Sequence, residues 1–311
     1  MNINQTILEG RLENVPDENR NSAENAAEDN FLAQGIHTPM NARPGIERSP
    51  WETVALARHH KRPVFQDYLS LICSDFIELH GDRSFGDDRA LIGGFATIGG
   101  IRLMLIGHNK GKSVEENLER NFGMARPEGY RKALRLMKLA ERYALPVLAF
   151  VDTPGAYPGM DAEERGQAEA IARNLFEMSR LSVPVVAVIC GEGGSGGALG
   201  IAVADRVLML ENSIYSVISP EGCAAILWRD SGYASQAAEA LRLTARSLLE
   251  LGIIDEIIQE PADGAHTDYL WTAESLKNAA VDALKQLMVL SGEELVEKRF
   301  EKLSGMGKFA G

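Results

Sequence analysis

Cysteine is scarce in this chain: three in 311 residues, Cys73, Cys190 and Cys223, far apart in sequence. None sits in a CxxC pair, which argues against a thiolate zinc ribbon. The odd count argues against a disulfide framework, so buried reduced thiols are expected. Basic charge is also in short supply. Lys and Arg total 32 against 44 Asp and Glu, a net charge of -12. That balance argues against a nucleic-acid-binding face and against docking on an anionic membrane. Long hydrophobic runs are missing too; Gly, Pro or a charge interrupts each one before the roughly 18 residues a membrane span needs. The first residues carry Glu9, Glu13, Asp17 and Glu18, not the basic-then-apolar pattern of a secretion signal. Together these absences point to a cytoplasmic protein that does not enter membranes.

What is present is a large potential core. Hydrophobic residues make up 45% of the chain, and the length fits one large domain or two small ones. Residues 1–49 stand apart. They are rich in Asn, Glu, Ala and Pro and lack sustained periodicity, so they are expected to be mobile, with one short helix at 23–32. The packed domain is expected from 50 to 311. It opens with a short helix in WETVALARH that Ser49 can cap, followed by a helix over 64–81 that ends at Gly81. Residues 91–108 read as two strands around Gly99 and Gly100. Helices are expected over 128–144, 163–181, 235–252 and roughly 272–302. Strands are expected at 147–151, 185–190, 206–210 and 214–219, with a short one in IIDEII.

The most informative stretch is PVVAVICGEGGSGGALG, residues 184–200. A β-branched run ends in five glycines and a serine, then an almost wholly apolar helix follows. PVLAFVDTPGAYPG, 146–159, repeats the plan: Pro146 and Pro184 are 38 positions apart, and each leads an apolar strand into a small-residue loop. Strand–loop–helix units of roughly 40 residues imply an α/β fold. In the second unit, Gly196 and Gly197 open a helix, so their N–H groups lack intrahelical acceptors and carry the positive end of its dipole. Gly155 and Ala156 keep the first loop bare. Two such strand ends form a place to stabilise negative charge on oxygen. Asp152 reads as an acceptor for loop amides, with a catalytic base as its alternative.

The same glycines satisfy two other patterns. From Gly191 they fit GxGxxG, with Glu211 20 residues on, a dinucleotide fingerprint. The segment to the next strand is short for that crossover helix. Gly193, Gly194, Ser195, Gly196 and Gly197 also fit GxSxG, the elbow of a serine hydrolase, for which His266 is the one downstream histidine. A glycine turn that only permits close packing is the bland alternative. Lys110, Lys112, Arg120, Arg126, Arg131, Lys132 and Arg135 form a local basic cluster. Lys110 and Lys112 follow a strand end, in a loop that also contains Gly107 and Gly111, a setting for a phosphate or a ligand carbonyl. Lys132 and Arg135 read equally well as a solvated helix face. Pro220 and Glu221 fit a first helical turn, and Glu221 can also shape the site.

Taken together, these segments resemble one family. ELHGDRSFGDDRALIGG, RNFGMARPEGYRKALRLMKLAERYALPVLAFVDTPGAYPG, AEERGQAEAIARNL, GEGGSGGALGIAVADRVLML, YSVISPEGCAAILWRD and ELGIIDEIIQEPADGAH look like the carboxyltransferase α subunit of multi-subunit acetyl-CoA carboxylase. The likeness runs from about Trp51 to about Leu303. It implies a crotonase-like (ClpP/crotonase) superhelix of repeated ββα units with flanking helices. It implies carboxyl transfer from carboxybiotin to acetyl-CoA, giving malonyl-CoA for fatty acid synthesis, with Gly196 and Gly197 donating to the biotin carbonyl. Gly155, Ala156, Gly193, Gly194 and Ser195 would line the cleft, and Lys110, Lys112, Arg126 and Arg131 would contact CoA or biotin. No metal and no covalent cofactor are expected in this chain. Zinc would belong to a partner β subunit, the assembly would be α2β2, and the biotin would arrive on a biotin carboxyl carrier protein. The chain departs from the family at residues 1–49, which do not read as the usual Leu-, Glu- and Lys-rich helical hairpin, and at Glu115 and Glu116 in an otherwise basic loop. A paralogue serving another acyl-CoA, or a non-catalytic subunit, are the alternatives within the resemblance.

Overall fold

The computed structural model describes residues 48–307. The helix expected at 23–32 and nearly all of 1–49 lie outside the described residues. The strands are β1 (Cys73–Glu78), β2 (Leu91–Ile98), β3 (Ile101–His108), β4 (Val147–Thr153), β5 (Val185–Gly194), β6 (Arg206–Leu210), β7 (Ile214–Ser216) and β8 (Glu256–Ile258). The helices are α1 (Pro50–Ala57), α2 (Phe65–Ile72), α3 (Val114–Glu119), α4 (Pro127–Arg142), α5 (Met160–Glu164), α6 (Gln167–Met178), α7 (Ser195–Ala202), α8 (Pro220–Trp228), α9 (Ala234–Leu241), α10 (Ala245–Glu250), α11 (Tyr269–Leu287) and α12 (Gly292–Ser304).

One sheet runs β1-β2-β3-β4-β5-β6-β8, and β7 pairs with the far end of β5. The first three strands are antiparallel, and from β3 onward every pair is parallel. A parallel sheet must be covered on both faces, and the strict alternation of the central strands does this. Val147, Ala149 and Val151 of β4 and Val185, Ala187 and Ile189 of β5 meet α4, α6 and α7 on one face. Leu148, Phe150, Val186 and Val188 meet α2 and α11 on the other.

β5 overruns the sheet. Residues 186–189 pair with β6, whereas Glu192, Gly193 and Gly194 pair with β7. The overrun supplies the second strand of a ββα unit and lets the eight-residue α7 link two parallel neighbours. The crossover that is short for a dinucleotide fold is therefore sufficient here.

Several expected boundaries move. The helix over 64–81 stops at Ile72, and Cys73–Glu78 becomes an edge strand against β2. There it pairs antiparallel with β2, from Cys73 opposite Ile98 to Glu78 opposite Gly94, a partner distant in sequence that a helical continuation would not use. The helix over 163–181 splits into α5 and α6 where Gly166 adopts φ 83. The helix over 235–252 breaks at Arg242, φ 51, and Thr244 recaps the next segment. The C-terminal helix is two, with Ser291 and Glu294 forming a capping box at the second start. β7 ends at Ser216, short of the expected 219. Ser49 and Glu52 form the capping box of α1.

Candidate active site

The ends of β4 and β5 lie side by side, with Thr153 opposite Gly193. Glycine is what lets them close. A Cβ on Gly194 would collide with the Pro154 carbonyl, and one on Gly197 would collide with the Gly155–Ala156 peptide, 2.8 Å from Gly155 O. Gly196 differs. A Cβ there meets only Ile171, at 3.8 Å, so space is open above the first turn of α7. No side chain caps that helix, and Ser195, its first residue, is exposed at φ 52. Uncapped N–H groups beside an open space are what an oxygen gaining negative charge requires. Ser195 makes no side-chain hydrogen bond to a histidine among the described residues. His266 instead stacks on His59, ring centroids 3.8 Å apart, so the hydrolase pattern lacks its base.

A chain of charges runs beneath the loops, from buried Asp152 through part-buried Lys110 and Glu192 out to exposed Arg58. Asp152 Oδ1 accepts the Glu192 N–H at 2.9 Å and the Lys110 ammonium at 2.7 Å. Lys110 also donates to Glu192 Oε2 at 3.2 Å. Arg58 Nε donates to Glu192 Oε1 at 2.7 Å, and its guanidinium reaches Glu221 at 2.6 Å. Burial alone would lower the Lys110 ammonium; the two carboxylates overcome it and raise it. Burial pushes the Glu192 carboxyl upward, but Lys110 and Arg58 hold it below its ordinary value. Asp152 thus does what its place at a strand end implies, fixing the glycine turn through an amide, and it also anchors a cation. A cavity of about 420 Å³ opens here, lined by Arg58, His59, Lys110, Lys112, Phe122 and Pro154 among others. A larger hollow of about 770 Å³, between 179–182 and α12, holds none of these charged groups, and neither hollow is lined by the loop glycines Gly155, Gly193, Gly194, Gly196 and Gly197.

The predicted cations have different fates. Lys110 and Lys112 face the cavity, where Lys112 pairs with Asp67 and sits 5.3 Å from the Tyr269 ring centre. Arg126 stacks on Tyr157 of the first glycine loop, 4.1 Å from its centre, and pairs with Asp161. Arg131 is committed elsewhere, to Asp82 at 2.7 Å and the Arg165 carbonyl at 2.9 Å. Lys132 is not on a solvated face. It is fully buried, donating to the Asp88 carbonyl at 2.8 Å and pairing with Asp87. Arg135 is half-buried on the Gly81 carbonyl. The loop 80–88 folds over α4 and converts much of its basic face into an interface. Within that loop the Ser84, Phe85 and Gly86 amides and Arg131 outweigh burial and hold Asp82 down at about 2.

Arg58, His108 and Tyr130 also belong to this region, although no sequence motif marks them. His108 is fully buried, and burial pushes it down to about 3, so it is neutral. Its ring lies beside the Phe150 and Gly197 backbone, with neither nitrogen at hydrogen-bonding geometry. Among the described residues no group of three or more His, Cys, Asp or Glu is placed to hold a metal ion. No described helix is long and apolar enough to cross a membrane.

A family model described as acetyl co-enzyme A carboxylase carboxyltransferase-like matches residues 10–307. The chain belongs to this family. Acetyl-coenzyme A carboxylase carboxyl transferase subunit alpha of Geobacter metallireducens is 62% identical over 262 residues, covering 84% of this chain and 82% of that one. The protein of that name from Aromatoleum aromaticum is 51% identical over 302 residues, covering 97% and 94%. Among solved structures, transcarboxylase 12S with methylmalonyl-coenzyme A bound matches at TM-score 0.59 and 19% identity, over 72% of this chain and 41% of that one. A Pseudomonas malonate decarboxylase hetero-tetramer in complex with coenzyme A matches at TM-score 0.58 and 18% identity, over 75% and 91%. The carboxyltransferase family member therefore has the crotonase-like α/β fold of its structural neighbours. Its glycine loops lie at the carboxyl ends of the central parallel strands, where open α/β sheets place their ligand sites.

Proposed function

We propose that this chain is the α subunit of the carboxyltransferase of a multi-subunit acetyl-CoA carboxylase, a biotin-dependent transferase forming malonyl-CoA. Membership of the family, over nearly the whole chain, carries this reading. In the reaction the bond between the biotin ring nitrogen and the carboxyl carbon breaks. A new bond joins that carbon to the acetyl methyl carbon, and the methyl proton passes to the biotin ureido group. Charge develops on the ureido oxygen and on the thioester oxygen. Gly196 and Gly197 N–H groups would meet the ureido oxygen, and the uncapped, open start of α7 supports this assignment. The donors for the thioester oxygen would come from a β subunit. Each donor is worth roughly 3 kcal/mol in the transition state.

Gly155, Ala156, Gly193, Gly194 and Ser195 would wall the cleft. Lys110 and Lys112 would hold ligand from the cavity side, and Arg126 would support the loop through Tyr157. Arg131, tied to Asp82, is the weakest candidate for a ligand contact. An α2β2 assembly, zinc held by β and biotin delivered on a carrier protein complete the proposal.

The test is reverse transfer. This chain is mixed with a carboxyltransferase β subunit, malonyl-CoA and biocytin, and acetyl-CoA release is followed. Release that requires both chains and biocytin supports the reading. A heteromer of the right size that releases nothing from malonyl-CoA refutes it.

A further inference from the structure

We propose that Tyr130 is a positioning residue for the transferase, holding the first turn of α7 so that its glycine N–H groups face the reacting oxygen. This rests on the reading of Gly196 and Gly197 as donors. The need for such a residue follows from α7 itself. It has eight residues, three of them glycine, and no side-chain cap. Each glycine in a helix is unfavourable by about 1 kcal/mol relative to alanine, and so short a helix has little stability of its own. Its orientation must therefore come from its neighbours.

Those neighbours are specific. The Tyr130 hydroxyl, fully buried on α4, donates to the Gly197 carbonyl at 3.2 Å. Burial pushes the phenol up, so it stays protonated and a donor. The Tyr130 ring fills the face opposite Gly200, where a Cβ would come within 2.6 Å of the ring. Asn174 of α6, fully buried, donates to the Tyr130 carbonyl at 3.0 Å and the Gly200 carbonyl at 2.8 Å. One hydroxyl and one amide thus brace α4, α6 and α7 at both ends of the glycine segment. The neutral His108 ring packs against the Gly197 backbone as well. A brace touching no ligand acts on the geometry of the donors, so its loss should lower turnover and leave ground-state binding intact.

The experiment uses the assembled α and β chains in reverse transfer. Tyr130→Phe keeps the ring against Gly200 and removes only the hydroxyl. The expected result is a kcat roughly tenfold lower, with KM for malonyl-CoA and biocytin within about twofold and the heteromer intact by size. An unchanged kcat overturns the inference, even if the melting temperature falls, because a purely structural role predicts that pattern. Asn174→Ser, which shortens the second brace, should show the same split and serves if Tyr130→Phe does not assemble; an unchanged kcat there is equally fatal. Gly196→Ala run alongside separates the two claims. If it keeps full turnover, the donor reading itself fails. If it is inactive while Tyr130→Phe is fully active, only the positioning role fails.

Discussion

Adding one methyl group at Gly196 and at Gly197 should give opposite results on stability and the same result on turnover. At Gly197 the methyl meets the Gly155–Ala156 backbone, which no rotamer change can move. Overpacking of this kind typically costs about 1–3 kcal/mol, and the two loops must separate to relieve it. Gly196→Ala meets nothing nearer than Ile171 at 3.8 Å. Alanine also favours the helix by up to about 1 kcal/mol over glycine, so this variant should be as stable as the parent or slightly more so. Its methyl nevertheless projects into the open space at the start of α7. An acceptor oxygen displaced from one donor loses roughly 3 kcal/mol of transition-state stabilisation, about 100- to 1,000-fold in rate. Urea midpoints of the free chain and reverse-transfer kcat of the assembled complex measure the two quantities separately. A Gly196→Ala protein that is stable, assembles and turns over at the parental rate would refute the oxyanion assignment. The Gly197 variant is less decisive, because its methyl also perturbs the loop packing.

Three further outcomes follow from the ionisable side chains the fold encloses wholly or in part. Lys110→Met leaves the Asp152 and Glu192 carboxylates together without their shared cation, and should destabilise the chain by about 3–5 kcal/mol by denaturant titration; Lys110→Met with Asp152→Asn should recover part of that loss. Arg299 is fully buried, donating to both oxygens of Asp205 and to the Met178, Leu181 and Val183 carbonyls, so Arg299→Lys, which cannot reproduce the fork, should lower the urea midpoint markedly. His108 falls from 6.5 to about 3 on folding through burial. Between those values the unfolded chain binds a proton that the folded chain does not, and stability drops as pH falls, by up to about 1.4 kcal/mol per pH unit. Asp88 rises from 3.8 to about 6, also through burial, so it has the opposite sign and adds stability as pH falls through 6. His108→Leu should therefore gain stability relative to the parent between pH 6 and 4; parallel pH profiles for the two proteins would exclude this role for His108.

The sheet was legible because its strands carry their own evidence. Residues 147–151 and 185–190 are apolar runs led by proline and ended by small residues, and both faces of a parallel strand are buried, so composition alone identifies them. The glycine loops were legible for a related reason: five glycines within seven residues have few structural explanations. What was hidden depended on contacts distant in sequence. Cys73–Glu78 follows a helical pattern closely enough to prolong α2 on paper, and only the ladder to β2 makes it a strand. Lys132 looks like any lysine on an amphipathic helix until the loop 80–88 closes over it. Arg58 lies 134 positions from Glu192 and 163 from Glu221, and Tyr130 lies 67 from Gly197, so no local spacing connects them. This division has a physical cause. Backbone conformation responds to neighbours within a few residues, whereas a buried charge or hydroxyl is tolerated only if a partner arrives from elsewhere. The backbone donors proposed for catalysis are thus the readable part of the site. The side chains that would hold those donors in place appear only when α4, α6 and α7 are seen packed together.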